Sequence, residues 1–168
     1  MAKTDPIHDE ARFFTELIPV AGIDSEVGLN IIRAGRLLSD RTVGYLRAAG
    51  MSEAQFNVLV VLEGLEDGLM QTEVARRMLV SRANISGVVK GMLAKGWIFR
   101  HPVPGDRRAA RLTVTEAGMA VLEGVMPAHF DHVHRAMACL DEPDKRQLID
   151  LLTRLRGHLA AERAAEND

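Results

Sequence analysis

Two short helix-forming segments, Thr72 to Met78 and Ser81 to Lys95, lie only Leu79 and Val80 apart. So brief a connection forces the second helix to turn sharply across the first, which predicts a helix-turn-helix. Two β-prone runs follow, Trp97 to His101 and Arg111 to Val114, divided by Pro102, Pro104, Gly105 and a cluster of charge. That order predicts a hairpin with a long basic tip, set directly after the helix pair.

The flanking sequence is helical. Aromatic residues make up 4% of the chain while Ala, Leu, Val, Met and Arg abound, a balance that favours helices over a sheet-dominated fold. From Ser25 to about Leu46, Val27, Ile31, Ala34, Leu38, Thr42 and Tyr45 recur at helical spacing, predicting one buried stripe. Gly50 closes that segment, and Ser52 to Gln55 fits a capping box that starts a helix running from Phe56 to Leu65. After the hairpin, Thr115 to about Leu140 and Asp141 to about Ala165 read as two more helices, the first carrying Pro127, an expected kink. His8 to Leu17 predicts a further short helix. Leu148, Leu152, Leu155 and Leu159 make a narrow seam that suits packing against another helix or another chain.

Net charge hides an asymmetry. The whole chain stands at −2, yet residues 76 to 111 hold nine basic residues against the single acid Asp106, a net of +8. Twelve basic and 22 acidic residues remain elsewhere, a net of −10. One lobe is thus suited to a polyanion and the other repels it. Winding Ser81 to Lys95 as a helix puts Ile85, Val88, Val89, Met92 and Leu93 on one face, which must be core. The opposite face carries Ala83, Ser86, Gly87 and Lys90, with Arg82 and Asn84 flanking it and Ser81 as N-cap. These small and polar side chains allow close approach to a groove floor, with hydroxyl, amide and ammonium groups to meet it.

The run Asp106-Arg107-Arg108-Ala109-Ala110-Arg111-Leu112-Thr113-Val114-Thr115-Glu116-Ala117-Gly118 resembles the wing signature of the multiple-antibiotic-resistance regulator (MarR) family. Asp106, Arg108, Leu112, Val114, Thr115 and Gly118 match it, and Val80 to Ser86 is similar to the family's recognition-helix start. The likeness spans roughly Ser25 to Leu159. It implies a mostly α fold with a small β-hairpin, a winged helix-turn-helix whose N- and C-terminal helices pair two copies. Residues 1 to 50 and 119 to 168 would then supply dimerisation helices around a DNA-binding lobe at 51 to 118. The implied function is a homodimeric regulator of transcription, a repressor, on a pseudo-palindromic duplex. Arg108 would enter the minor groove, Arg107 and Arg111 would lie beside it, and Asp106 would brace the wing. Met70, where the family often has a Ser or Thr cap, predicts a later or looser helix start, and Leu79 replaces a common turn glycine.

The resemblance also implies release by a small aromatic or phenolic acid, for which Phe13, Phe14, Arg36, Tyr45, Phe56 and Asn57 are the candidate lining. Core packing and surface pairing account for the same residues equally well. His129, His132 and His134 cluster near Asp131, but dimer-surface histidines are favoured over a metal site, and Cys139 reads as a packed small side chain. No cofactor is expected. With no Gly-rich phosphate loop, no His-Glu-x-x-His and no nucleophile beside a base, an enzyme is not expected either. The polar start, the absence of a long apolar run and a single cysteine predict a cytoplasmic protein without a membrane partner. A rival class, an architectural or anti-repressor protein on the same fold, differs in its specificity ratio over random DNA.

Overall fold

The computed structural model describes residues 22–78, 80–103 and 105–165. They form six helices and three strands: α1 (Ile23–Ala48), α2 (Glu53–Leu62), β1 (Leu69–Met70), α3 (Gln71–Arg77), α4 (Arg82–Ala94), β2 (Ile98–Val103), β3 (Asp106–Val114), α5 (Glu116–Ala136) and α6 (Glu142–Ala165). The mostly helical winged architecture expected from the sequence is what the chain adopts. None of these helices is long and apolar enough to cross a membrane.

The chain divides after Arg41 into two compact units. In the first, the α1 stripe lies open: Val27 is 50% and Ile31 38% exposed, and Ile23 and Ile32 are exposed as well. This corrects the expectation of a buried stripe, since only Thr42 and Leu46, on the last part of α1, are buried.

The second unit, from Thr42 on, carries the core. Phe56, Val58, Leu59 and Leu62 of α2 meet Val74 and Ala75 of α3, Ile85, Val89 and Met92 of α4, Leu112 of β3, and Leu122 and Val125 of α5. Truncating any of the Phe, Leu, Ile or Met side chains among these to Ala is expected to cost about 2–5 kcal/mol. Local chemistry starts α2 where the sequence places it. Ser52 Oγ accepts from Gln55 N–H at 3.2 Å while Gln55 Oε1 accepts from Ser52 N–H at 3.1 Å. The α3 helix begins at Gln71 without a hydroxyl cap, contrary to the late start expected from Met70. Glu73 supplies the missing acceptor by taking the Met70 N–H at 2.8 Å.

The sheet has the order β1-β3-β2, all antiparallel. Both hairpin strands are longer than the sequence suggested, and they close in a short turn at Gly105 (φ +86°) in place of a long tip. A proline usually ends a strand, but Pro102 sits on the edge strand β2, where a missing N–H leaves no ladder bond unmade on the outer side. The two-residue β1, pairing Leu69 with Leu112 and Met70 with Arg111, escaped notice because it is too short to show a period. Gly68 makes it possible: its φ is +63°, and a Cβ there would stand 2.3 Å from the Leu112 carbonyl oxygen.

A knot of backbone contacts ties the hairpin to α5. Thr115 N–H donates to the Trp97 carbonyl at 3.1 Å, its hydroxyl donates to the Gly96 carbonyl at 2.6 Å, and its Oγ1 accepts from Gly118 N–H at 3.1 Å. A Cβ at Gly118 would fall 2.0 Å from the Trp97 carbonyl oxygen, so only glycine lets this turn of α5 lie on the strand. Gly118→Ala should therefore lower the unfolding free energy by about 1–3 kcal/mol in urea denaturation. Gly124→Ala, on the same helix with nothing within 4 Å, is expected to be neutral or to stabilise by up to ~1 kcal/mol.

Candidate nucleic-acid interface

Helix α4 is capped by Ser81, whose Oγ accepts from Asn84 N–H at 3.2 Å, and has no acidic residue in its first turn. Ile85, Val89 and Met92 are at most 3% exposed and pin one side of the helix to the core. Ala83, Asn84, Ser86, Gly87 and Lys90 are all exposed on the other side. The structure thus gathers these predicted contact residues on one open face. The backbone of Arg82 opens the helix, and Asp106, Arg107 and Arg108 open β3. The side chains of these four lie outside the described residues.

Between α4 and the hairpin runs a groove of about 590 Å³, floored by Ile85, Val89 and Leu93 and rimmed by Ser86, Lys90 and Arg100. Among the described residues, two of the basic side chains serve the fold itself. Lys95 donates to the Gly50 carbonyl at 2.6 Å and lies over the Trp97 ring at 4.2 Å. Arg111 donates from Nη1 to the Gly68 carbonyl at 3.1 Å, so this predicted contact residue also clamps the turn before β1 onto β3. Ion pairs such as Arg135–Asp131 sit on α5, away from this face. Sequence reasoning passed over Arg100, which the strand periodicity places on the groove side of β2. It also passed over Gln71, whose Nε2 donates to Ser86 Oγ at 2.9 Å.

The proposed effector residues meet different fates. Phe13 and Phe14 lie outside the described residues, Arg36 is exposed on α1, and Asn57 is exposed on α2. Tyr45 and buried Phe56 come together with His129 and His132 of α5. Tyr45 O–H and His129 Nδ1 share a hydrogen bond of 2.8 Å, and the Phe56 ring lies 4.8 Å from that of His129. His132, 6% exposed, packs 6.2 Å from the Tyr45 ring, so it belongs to an aromatic cluster within the chain and not to a dimer surface. His134 is exposed, as is Cys139, which therefore is not the packed side chain expected of it. Burial holds the His129 imidazole below its ordinary value of about 6.5, and the charge of His132 adds to the effect.

Residues 49–109 match the MarR family. The transcriptional repressor MprA of Escherichia coli (strain K12) is 30% identical over 125 residues, covering 74% of this chain and 70% of that one. The HTH-type transcriptional repressor YetL of Bacillus subtilis is 28% identical over 136 residues, covering 79% of this chain and 81% of its own. Among solved structures, Sco3205, a MarR family transcriptional regulator from Streptomyces coelicolor in complex with DNA, superposes with a TM-score of 0.75 at 28% identity. That superposition covers 82% of this chain and 92% of that one.

The His129 cluster has a measurable consequence. Because the folded chain binds this proton less readily than the unfolded chain does, stability is full above pH ~6.5 and is lost as the pH falls toward the lower folded value. The melting temperature of the wild type should drop between pH 7.5 and pH 5.5 more than that of His129→Gln. Equal slopes in the two proteins would contradict the assignment.

Proposed function

The chain belongs to the MarR family of transcriptional regulators, and we propose that it is a homodimeric repressor that binds a pseudo-palindromic duplex through two copies of the α4 face. The observation that carries this reading is the union, on one lobe, of an open small-and-polar helix face with a net charge of +8. A helix so shaped fits the major groove, whose floor offers hydrogen-bond acceptors and donors to Ser86, Asn84 and Lys90. The basic hairpin beside it suits a narrow, electronegative minor groove, with Arg108 as the inserted residue and Asp106 as its brace.

Two copies are needed because one α4 spans only a few base pairs, and half-sites about one helical turn apart, ~34–36 Å, match a dimer. Support for the dimer comes from apolar surface left open. On α6, Leu148, Leu155 and Leu159 are exposed, and on α1 so are Val27 and Ile31. Leu152 is half-buried. Apolar rows of this length are costly in water and are expected to be covered by a second copy. We further propose that a small aromatic or phenolic acid weakens DNA binding by engaging the neighbourhood of Tyr45 and Phe56, where a ring could stack and a carboxylate could meet a histidine.

Two experiments test the reading. In fluorescence anisotropy with duplex from the region upstream of the protein's own gene, Arg108→Ala should weaken binding with little effect on sequence preference. Lys90→Ala and Asn84→Ala should change base preference, each by about 1–3 kcal/mol. Unchanged binding in all three would refute the assigned surface. Separately, Leu152→Asp combined with Leu155→Asp should give monomers in analytical ultracentrifugation, and an intact dimer would remove the α6 seam from the account.

A further inference from the structure

The two helices of the motif are joined by a polar contact outside the core. Gln71, the first residue of α3, donates Nε2–H to Ser86 Oγ of α4 at 2.9 Å. We propose that Gln71 is a specificity-determining positioning residue, one that holds the Ser86 hydroxyl in a single orientation on the reading face without itself reading a base. The inference rests on the reading of the α4 face as the surface that meets DNA.

A serine hydroxyl alone is a poor discriminator. It rotates among three staggered positions, it both donates and accepts, and it can therefore satisfy almost any base edge. A donor fixed 2.9 Å away occupies one side of the oxygen and favours the rotamer that faces it. The hydroxyl is then directional before DNA arrives, which is where a short side chain gains selectivity.

Both ends of this contact are anchored by the fold. Gln71 follows Met70 directly, and Met70 is held by its pairing with Arg111 in β3 and by the Glu73 carboxylate at 2.8 Å. Ser86 stands between Ile85 and Val89, which are buried in the core. Gln71 itself is half-buried, and its side chain lines the same groove as Ser86 and Lys90. Lys90 stands one turn beyond Ser86 on the exposed face, so an ordered hydroxyl and an ammonium present a fixed pair to neighbouring base pairs. The contact is exposed, so its loss should show in sequence preference far more than in melting.

The test is selection from a random duplex library by the full-length wild type, Gln71→Met, Gln71→Ala, Ser86→Ala and the Gln71→Met/Ser86→Ala double variant. Anisotropy on the selected and on shuffled duplexes at two salt concentrations follows. Gln71→Met keeps the length of the side chain and removes the donor. Both Gln71 variants should lose preference at one base pair in each half-site, with the specificity ratio falling about three- to tenfold. Their affinity for shuffled duplex and their salt slope should match wild type. Ser86→Ala should relax the same base pair, and the double variant should be no worse than Ser86→Ala alone, because the two residues act as one unit. An unchanged motif in the Gln71 variants, or losses that simply add in the double variant, would overturn the proposal. So would an equal loss on shuffled duplex with a smaller salt slope, which would mark Gln71 as a phosphate contact. A wild type that selects no motif would overturn the regulator reading itself, and this proposal with it.

Discussion

Everything at the interface depends on how α4 is held. Ile85, Val89 and Met92 are buried against α2, α3 and the sheet, and that burial decides which side of the helix is left outside. Rotating α4 by even one residue position, about 100°, would drive Ser86 or Lys90 into an apolar core without partners. The open face is therefore a consequence of core packing. The side chains left on that face, Ala83, Asn84, Ser86 and Lys90, are small or polar.

The hairpin is positioned by a second constraint, the knot at Trp97, Thr115 and Gly118. Here the same residues that make the Thr-x-x-Gly signature recognisable have separate physical tasks. Thr115 caps α5 and bonds back to Gly96, and Gly118 removes the side chain that would collide with the Trp97 carbonyl. At the other edge of the sheet, Arg111 and Gly68 hold β1 on β3. The wing is thus braced at both edges of its frame. Two of the basic residues that give the lobe its charge, Lys95 and Arg111, also build that frame.

Much of this was legible in the sequence because it rests on local rules. The Ser52 capping box, the Ser81 cap, the apolar side of α4 and the helix-turn-helix spacing are short-range patterns, and each is found where it was expected. What was not legible depends on residues far apart in the chain. The β1 strand exists only because Gly68 admits the Leu112 carbonyl, and the long hairpin only because Pro102 lies on an edge. Gln71 and Ser86 are 15 residues apart, and Tyr45 and His129 are 84 apart, so neither contact leaves a periodic trace. Periodicity also cannot say what covers an apolar stripe. The spacing of Val27 and Ile31 predicts a buried stripe on α1, yet both side chains are exposed.

The proposed function requires that the α4 face and the hairpin meet duplex DNA. Amide chemical-shift mapping of the full-length protein, titrated with duplex from upstream of its own gene, tests this most directly. Shifts are expected to concentrate at residues 81–90 and 98–111, with α6 unmoved. Shifts concentrated on α6, or spread evenly over the surface with none at Asn84, Ser86 and Lys90, would contradict it.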